Sequence, residues 1–297
     1  MGSGKTVHLP LMGGLGNQLF QLAAGIYVTQ QSDRDVKFLS SWLNPPRVYK
    51  RGWISPRQLM ISDLIDDCEW SGLSRIQAAT IRVISKFGKN YWVSELGPSD
   101  DTLERITSDT RVLVGYFQKS KYVNCVREPL LKRLEKSLQF RQLIPSKLEP
   151  RIAIHMRFGD YLSNPTTRAV HGLSDVSYYV NGVQILLGEI RCNQILLVSD
   201  DPKRAYSLFT ESFDCRDFEI SCAPGSSELE DFALLSHSAG IVISNSSFSW
   251  WAAWLGASTF GARVIAPTPW FAEPSAADTN LSDRSWTFIK RELSAKE

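Results

Sequence analysis

The stretch GIVISNSSFSWWAAWLGASTFGARVIA (Gly240–Ala266) decides the fold. Gly240–Ser244 reads as a strand, the segment from Ser247 to about Ser258 as a helix, and Arg263–Ala266 as a second strand. Strand, helix and strand in this rhythm make a βαβ unit, which requires a parallel sheet. The helix is apolar all round, so other elements must cover it on every side. Toward the N-terminus the same alternation repeats, with strands Arg151–Met156 and Gln194–Val198 and helices Val176–Ile190, Asp201–Phe213 and Glu228–His237. This half of the chain is predicted to be a Rossmann-like α/β domain.

The first half opens in the same way, with strand Val7–Met12, a glycine-rich turn, a helix from about Asn17 to Gln31 and strand Val36–Leu39. Pro45, Pro46 and Pro56 interrupt the next region, where Ile76–Phe87 has a helical pattern. Val112–Phe117 then reads as a strand and Tyr122–Leu138 as an amphipathic helix. Gln142–Pro150, bounded by Pro145 and Pro150, reads as a linker. It divides the chain into domains 1–148 and 149–297.

Composition excludes several classes. The chain has 297 residues, 43% apolar and 22% charged, which suits a folded chain of one or two domains and not a disordered one. Lys and Arg total 33 against 31 Asp and Glu, so the net charge of +2 gives no nucleic-acid footprint. Five scattered cysteines without a Cys-x-x-Cys spacing read as reduced thiols, and four isolated histidines form no zinc signature. No apolar run is long enough for a membrane span and no secretory leader pattern is present, so a cytoplasmic chain is expected. The sequons at Asn245 and Asn280 are then silent.

Four segments look chemical without being so. Gly2-Ser3-Gly4-Lys5-Thr6 resembles the end of a phosphate-binding loop but lacks the preceding strand and first glycine. Asp33-Arg34-Asp35 has the form of a metal-binding Asp-x-Asp, yet lies where a solvated turn is expected. Asp66-Asp67 and Asp100-Asp101 receive the same reading.

Four other segments place unusual residues where a strand ends, which is where open α/β sheets bind ligands. Gly13-Gly14-Leu15-Gly16-Asn17-Gln18 opens a helix and suits either a packing turn or a loop that approaches a ligand closely. His155-Met156-Arg157-Phe158-Gly159-Asp160-Tyr161 carries an arginine suited to a bidentate grip on phosphate, or to a structural pair with Asp160. Ser199-Asp200-Asp201-Pro202 offers a carboxylate to a ribose or base, or a helix cap with proline in the first turn. Ser244-Asn245-Ser246-Ser247 opens the apolar helix, whose free amides suit a diphosphate, although a simple N-cap explains the serines equally well. The tryptophans that follow read as core.

Taken in order, GGLGNQLFQ (Gly13–Gln21), HMRFGDY (His155–Tyr161), SDDP (Ser199–Pro202), SNSSFSWWAAWL (Ser244–Leu255) and VIAPTPWF (Val264–Phe271) resemble the α-1,2-fucosyltransferase family, in particular its bacterial members. The resemblance implies a GT-B-like fold, two Rossmann-like domains facing a cleft. The N-terminal domain would take the acceptor and the C-terminal domain the GDP-sugar. It further implies an inverting, metal-independent transfer of L-fucose from GDP-fucose to the 2-hydroxyl of a β-galactoside-terminated glycan, with no cofactor and no nucleic-acid partner.

By the same resemblance, Arg157 holds the donor diphosphate, His155 and Asp201 lie near the guanosine, and Ser246 and Ser247 form the phosphate-side helix start. Gly14 and Gly16 of the N-terminal loop bind the donor, and Asn17 faces donor and acceptor as a catalytic residue. Asp160 is the expected base, or else orients Arg157. The chain would work in the cytoplasm, either free or peripheral at the inner face of the membrane. One position departs from the family pattern, Phe158 standing where a second arginine is usual. That departure keeps two alternatives open: another GDP-sugar or fucosyl linkage, and an inactive nucleotide- or glycan-binding protein.

Overall fold

A computed structural model describes residues 6–40, 43, 58–65, 70–71, 92–94, 101–144, 149–159, 164–272 and 281–293. The helical pattern at Ile76–Phe87, the Gly2–Lys5 segment, the Asp66-Asp67 and Asp100 acids, Asn280 and Asp160 lie outside these residues. The chain divides into two compact units, Met1–Ser137 and Leu138–Glu297.

The first unit contains β1 (Val7–Pro10), α1 (Leu15–Gln31), β2 (Val36–Leu39), β3 (Trp70–Ser71), β4 (Trp92–Ser94), β5 (Val112–Val114), α2 (Ser120–Cys125) and α3 (Arg127–Lys136). Its sheet runs β3-β2-β1-β5-β4, all parallel. Leu15, Leu19, Phe20, Leu22, Ala23 and Ala24 bury α1 almost all round. Two buried amides tie this helix to the strand ends. Gln21 Oε1 accepts from Met12 N at 2.9 Å, while its Nε2 donates to Gly115 O at 2.8 Å and Pro10 O at 3.3 Å. Gln18 Nε2 donates to Gly13 O and Gln58 O, and its Oε1 accepts from Met60 N and Ile61 N. Backbone groups that the short strands leave over are thereby satisfied.

The helix expected over Tyr122–Leu138 is two helices. Pro129 has no N–H to bond to Cys125 O, and its ring crowds that carbonyl, so the helix breaks at Val126 and restarts.

The second unit contains α4 (Leu138–Leu143), β6 (Arg151–Met156), α5 (Pro165–His171), α6 (Val176–Leu187), β7 (Gln194–Ser199), α7 (Pro202–Ser212), β8 (Glu219–Cys222), α8 (Glu228–Ser236), β9 (Gly240–Val242), α9 (Ser247–Phe260), β10 (Arg263–Thr268) and β11 (Thr287–Lys290). The sheet order is β11-β10-β9-β6-β7-β8, again all parallel. The division between units falls ahead of the 142–150 segment because α4 packs with the second unit. Its Phe140 ring lies 5.8 Å from Phe232 and 5.6 Å from His237.

Alternate residues of β6 face opposite layers. Ile152, Ile154 and Met156 join Val183, Leu186 and Phe209 of α6 and α7 in one core. His155 faces the other way, against Phe248 of α9. That second layer is closed by Trp250, Trp251 and Trp254, all buried, as the pattern of α9 requires. Helices α8 and α9 approach closely at Gly256, where a Cβ would stand 2.6 Å from Ser236 O. Because a backbone carbonyl cannot step aside, Gly256→Ala should lower the unfolding free energy by about 1–3 kcal/mol. The urea midpoint, compared with that of wild type, measures this; an unchanged midpoint would show that the helices are free to separate.

Candidate functional site

The chain leaves β6 for α6 on one face of the sheet and leaves β9 for α9 on the other. Because these two strands are neighbours, their outgoing loops diverge and open a crevice at their C-terminal ends. Arg157 lies at the end of β6, and Ser246 and Ser247 follow β9.

Arg157 stands one residue beyond β6, and Asp200 one residue beyond β7. The register pairs Met156 with Ser199, so the next step brings Arg157 and Asp200 side by side. Arg157 Nη1 lies 2.9 Å from Asp200 Oδ2, and Asp200 Oδ1 accepts from Phe158 N at 2.9 Å. One carboxylate therefore clamps both the backbone and the guanidinium. About a quarter of each side chain is open to solvent, 27% for Arg157 and 24% for Asp200. Gly159 makes room for the pair, since a Cβ there would stand 2.5 Å from Asp200 Oδ2.

Asp201, the acid chosen from sequence, instead caps α7. It accepts from Arg204 N at 3.2 Å with Pro202 beginning the helix. Asp200 was missed, although an acid directly before a helix-starting proline is the usual cap and leaves its neighbour for other work. Phe158 turns into the core, with the guanidinium carbon of Arg204 5.4 Å from its ring centre.

His155 does not line the crevice. It is 4% exposed, its Nδ1 is 2.8 Å from Ser244 Oγ, and its ring is 5.3 Å from that of Phe248. Burial, aided by the charge of Arg157, pushes its pKa down to about 3, so the imidazole is neutral and joins the ends of β6 and β9. Asn245 is likewise internal, donating to His171 O at 2.8 Å and Trp270 O at 3.0 Å. The buried Arg291 binds the same two carbonyls and Pro269 O, so these side chains together brace the loop that follows β10.

Ser246 and Ser247 are half-buried at the start of α9. Ser246 is the N-cap residue, yet its hydroxyl makes no capping hydrogen bond. The first-turn amides of a helix lack partners within it and carry its positive dipole end, which favours an anion. Arg157 and this helix start thus occupy adjacent strand ends of one unit.

In the first unit, Gly13 has φ of 77° and Gly14 begins α1 in an extended conformation; a Cβ on Gly14 would meet nothing within 4 Å. Gly16 is buried within α1. Asn17 is half-buried, and its Oδ1 accepts from Gln118 Nε2 at 2.7 Å. Sequence reasoning missed Gln118. Asp33 and Asp35 are exposed, while the Arg34 between them donates to Thr107 O and Thr110 O. Among the described residues, no three His, Cys, Asp or Glu side chains group to hold a metal, and no helix is long and apolar enough to cross a membrane.

The chain is similar to several known glycosyltransferases. The family model described as glycosyl transferase family 11 matches residues 86–290. An alpha-1,2-colitosyltransferase of Escherichia coli is 25% identical over 95% of this chain and 98% of its own. The O-antigen biosynthesis glycosyltransferase WbnK, also of Escherichia coli, is 26% identical over 54% of this chain and 55% of its own. The fucosyltransferase NodZ from Bradyrhizobium superposes with a TM-score of 0.50 at 13% identity, covering 86% of this chain and 94% of that one. The fold class is GT-B, with its two Rossmann-like units.

The neutral state of His155 carries a pH signature. Its folded pKa lies below the 6.5 of an exposed imidazole, so on acidification the unfolded chain takes up the proton first. This contribution to stability is full above pH 6.5 and is lost as the pH falls toward 3. His155→Gln lacks it, so the stability difference between wild type and variant should shrink from pH 8 to pH 5 in urea unfolding. A difference independent of pH would mean that His155 is not titrating between the two states.

Proposed function

The chain belongs to glycosyl transferase family 11, and on that premise we propose that it moves L-fucose from GDP-fucose to the 2-hydroxyl of a galactoside, with inversion and without a metal ion. The observation that carries this reading is the Arg157–Asp200 clamp across the ends of β6 and β7, next to the point where β6 and β9 send their crossovers to opposite faces. In the transfer, the acceptor oxygen bonds to the anomeric carbon while the bond from that carbon to the diphosphate breaks. The bonding pair leaves with GDP, and the hydroxyl proton passes to a base. Negative charge therefore grows on the leaving diphosphate. Arg157, held in place by Asp200, and the amides at Ser246 and Ser247 supply fixed positive charge there, which is the usual source of a large part of such rate enhancement. Asp160, three residues beyond Arg157, is the proposed base. Asn17, facing donor and acceptor, and the donor-binding Gly14 and Gly16 of the same loop are the proposed first-unit contribution. The acceptor is a β-galactoside-terminated glycan, and the work is done in the cytoplasm, free or at the inner face of the membrane.

A second reading keeps the mechanism and changes the sugar. The relative named for colitosyl transfer spans 95% of this chain, and colitose is a fucose lacking its 3-hydroxyl. A donor that differs by one hydroxyl fits the same diphosphate site and the departure at Phe158.

The test is transfer to lactose with EDTA present, scoring GDP and trisaccharide with GDP-fucose and GDP-colitose in parallel. Trisaccharide from GDP-fucose in EDTA is the expected outcome, and product from GDP-colitose alone moves the assignment to the second reading. Arg157→Ala should lower turnover by about 10²–10³-fold, the usual cost of losing one donor to developing charge. Wild-type turnover in that variant would remove Arg157 from the mechanism.

A further inference from the structure

In the first unit the reaction described above uses Asn17 but not the side chain that Asn17 is paired with. Gln118 follows β5 and Asn17 follows β1, and these strands are neighbours. Gln118 Nε2 donates to Asn17 Oδ1 at 2.7 Å. The segment carrying Gln118 is unusually constrained. Phe117 has φ of 53°, a left-handed conformation that a bulky residue rarely adopts, and its ring is buried. Lys119 N donates back to Phe117 O at 2.8 Å, while Gln21 Nε2 holds Gly115 O. On the far side, Lys119 Nζ is buried in an ion pair with Asp101 at 2.6 Å. Gly115, Phe117 and Lys119 are thus held inward, while Gln118 and Asn17 remain half-buried.

An asparagine amide turns about its last bond and presents either its oxygen or its NH₂. Donation from Gln118 settles that choice, occupying Oδ1 and leaving the Nδ2 hydrogens to donate. Gly13 keeps the space beside Nδ2 clear, because a Cβ there would stand 2.4 Å from it. We propose that Gln118 is a positioning residue, fixing the Asn17 amide as a hydrogen-bond donor to an oxygen of the sugar donor or acceptor. This rests on the glycosyl-transfer reading above and adds to it the residue that orients Asn17.

A double-mutant cycle tests the proposal, using wild type, Gln118→Leu, Asn17→Ala and the double variant. The GDP-sugar is the one that wild type turns over in a donor panel, so failure of GDP-fucose itself overturns the donor assignment and not this inference. Gln118→Leu should lose about tenfold in kcat/KM, the worth of one well-placed hydrogen bond, with GDP affinity within about twofold of wild type. Because Gln118 acts through Asn17, the double variant should be no slower than Asn17→Ala. The near-isosteric Gln118→Glu, which accepts but cannot donate, should lose as much as Gln118→Leu, and it provides the measurement should the leucine variant fold poorly. Losses that multiply in the double variant, or wild-type rates in Gln118→Glu, overturn the proposal.

Discussion

In a parallel sheet every strand must be followed by a crossover, and between β6 and β9 the crossovers leave on opposite faces. Where the crossovers part, the loops that follow the two strands lead away from each other. The rest of the second unit is organised around the gap between them. Helix α6 with Ile152, Ile154 and Val242 fills one layer; α8 and α9 with their aromatic rings fill the other. Such a gap holds a ligand only if its rim is rigid. The buried contact between His155 and Ser244 joins the two strands at the rim, and burial keeps that imidazole neutral so that the joint costs no buried charge.

Polar groups within the core carry out the same task elsewhere. Gln21 serves backbone groups at the ends of β1 and β5, and Gln18 serves Gly13 O after β1 together with the 58–61 segment, which would otherwise leave donors and acceptors unmet. Asn245 and Arg291 converge on His171 O and Trp270 O. Losing any of these would strand a buried carbonyl or amide, which costs more than the bond itself contributes. Among the described residues of the second unit, Arg157 with Asp200 and the serines that open α9 remain partly open to solvent at the strand ends.

How much of this could be read from the chain depended on whether the signal was local. The βαβ rhythm from β6 to β10 was legible because apolar runs and helix periods lie within each element. Strands β8 and β11 were not, since an edge strand is buried on few sides and carries no continuous apolar run. The break at Val126 was available in Pro129 and was passed over. At the site, Arg157 and the α9 serines could be singled out by chemistry at strand ends. Their partners could not, because Phe158 and Asp200 are 42 residues apart, and Asn17 and Gln118 are 101 apart.

The sequence by itself determined the order and kind of the inner strands and of the helices that cover them, and the strand ends at which chemistry is concentrated, because helix and strand periods are properties of neighbouring residues. Only the tertiary structure decided which member of Asp200-Asp201 meets the arginine. Sheet register, with Met156 opposite Ser199, brings Arg157 level with Asp200, while the start of α7 takes Asp201 for its cap. It also decided that His155 faces inward to Ser244. Alternation along β6 sends that ring to the α9 layer, a choice that exists only once the layers on both faces have formed.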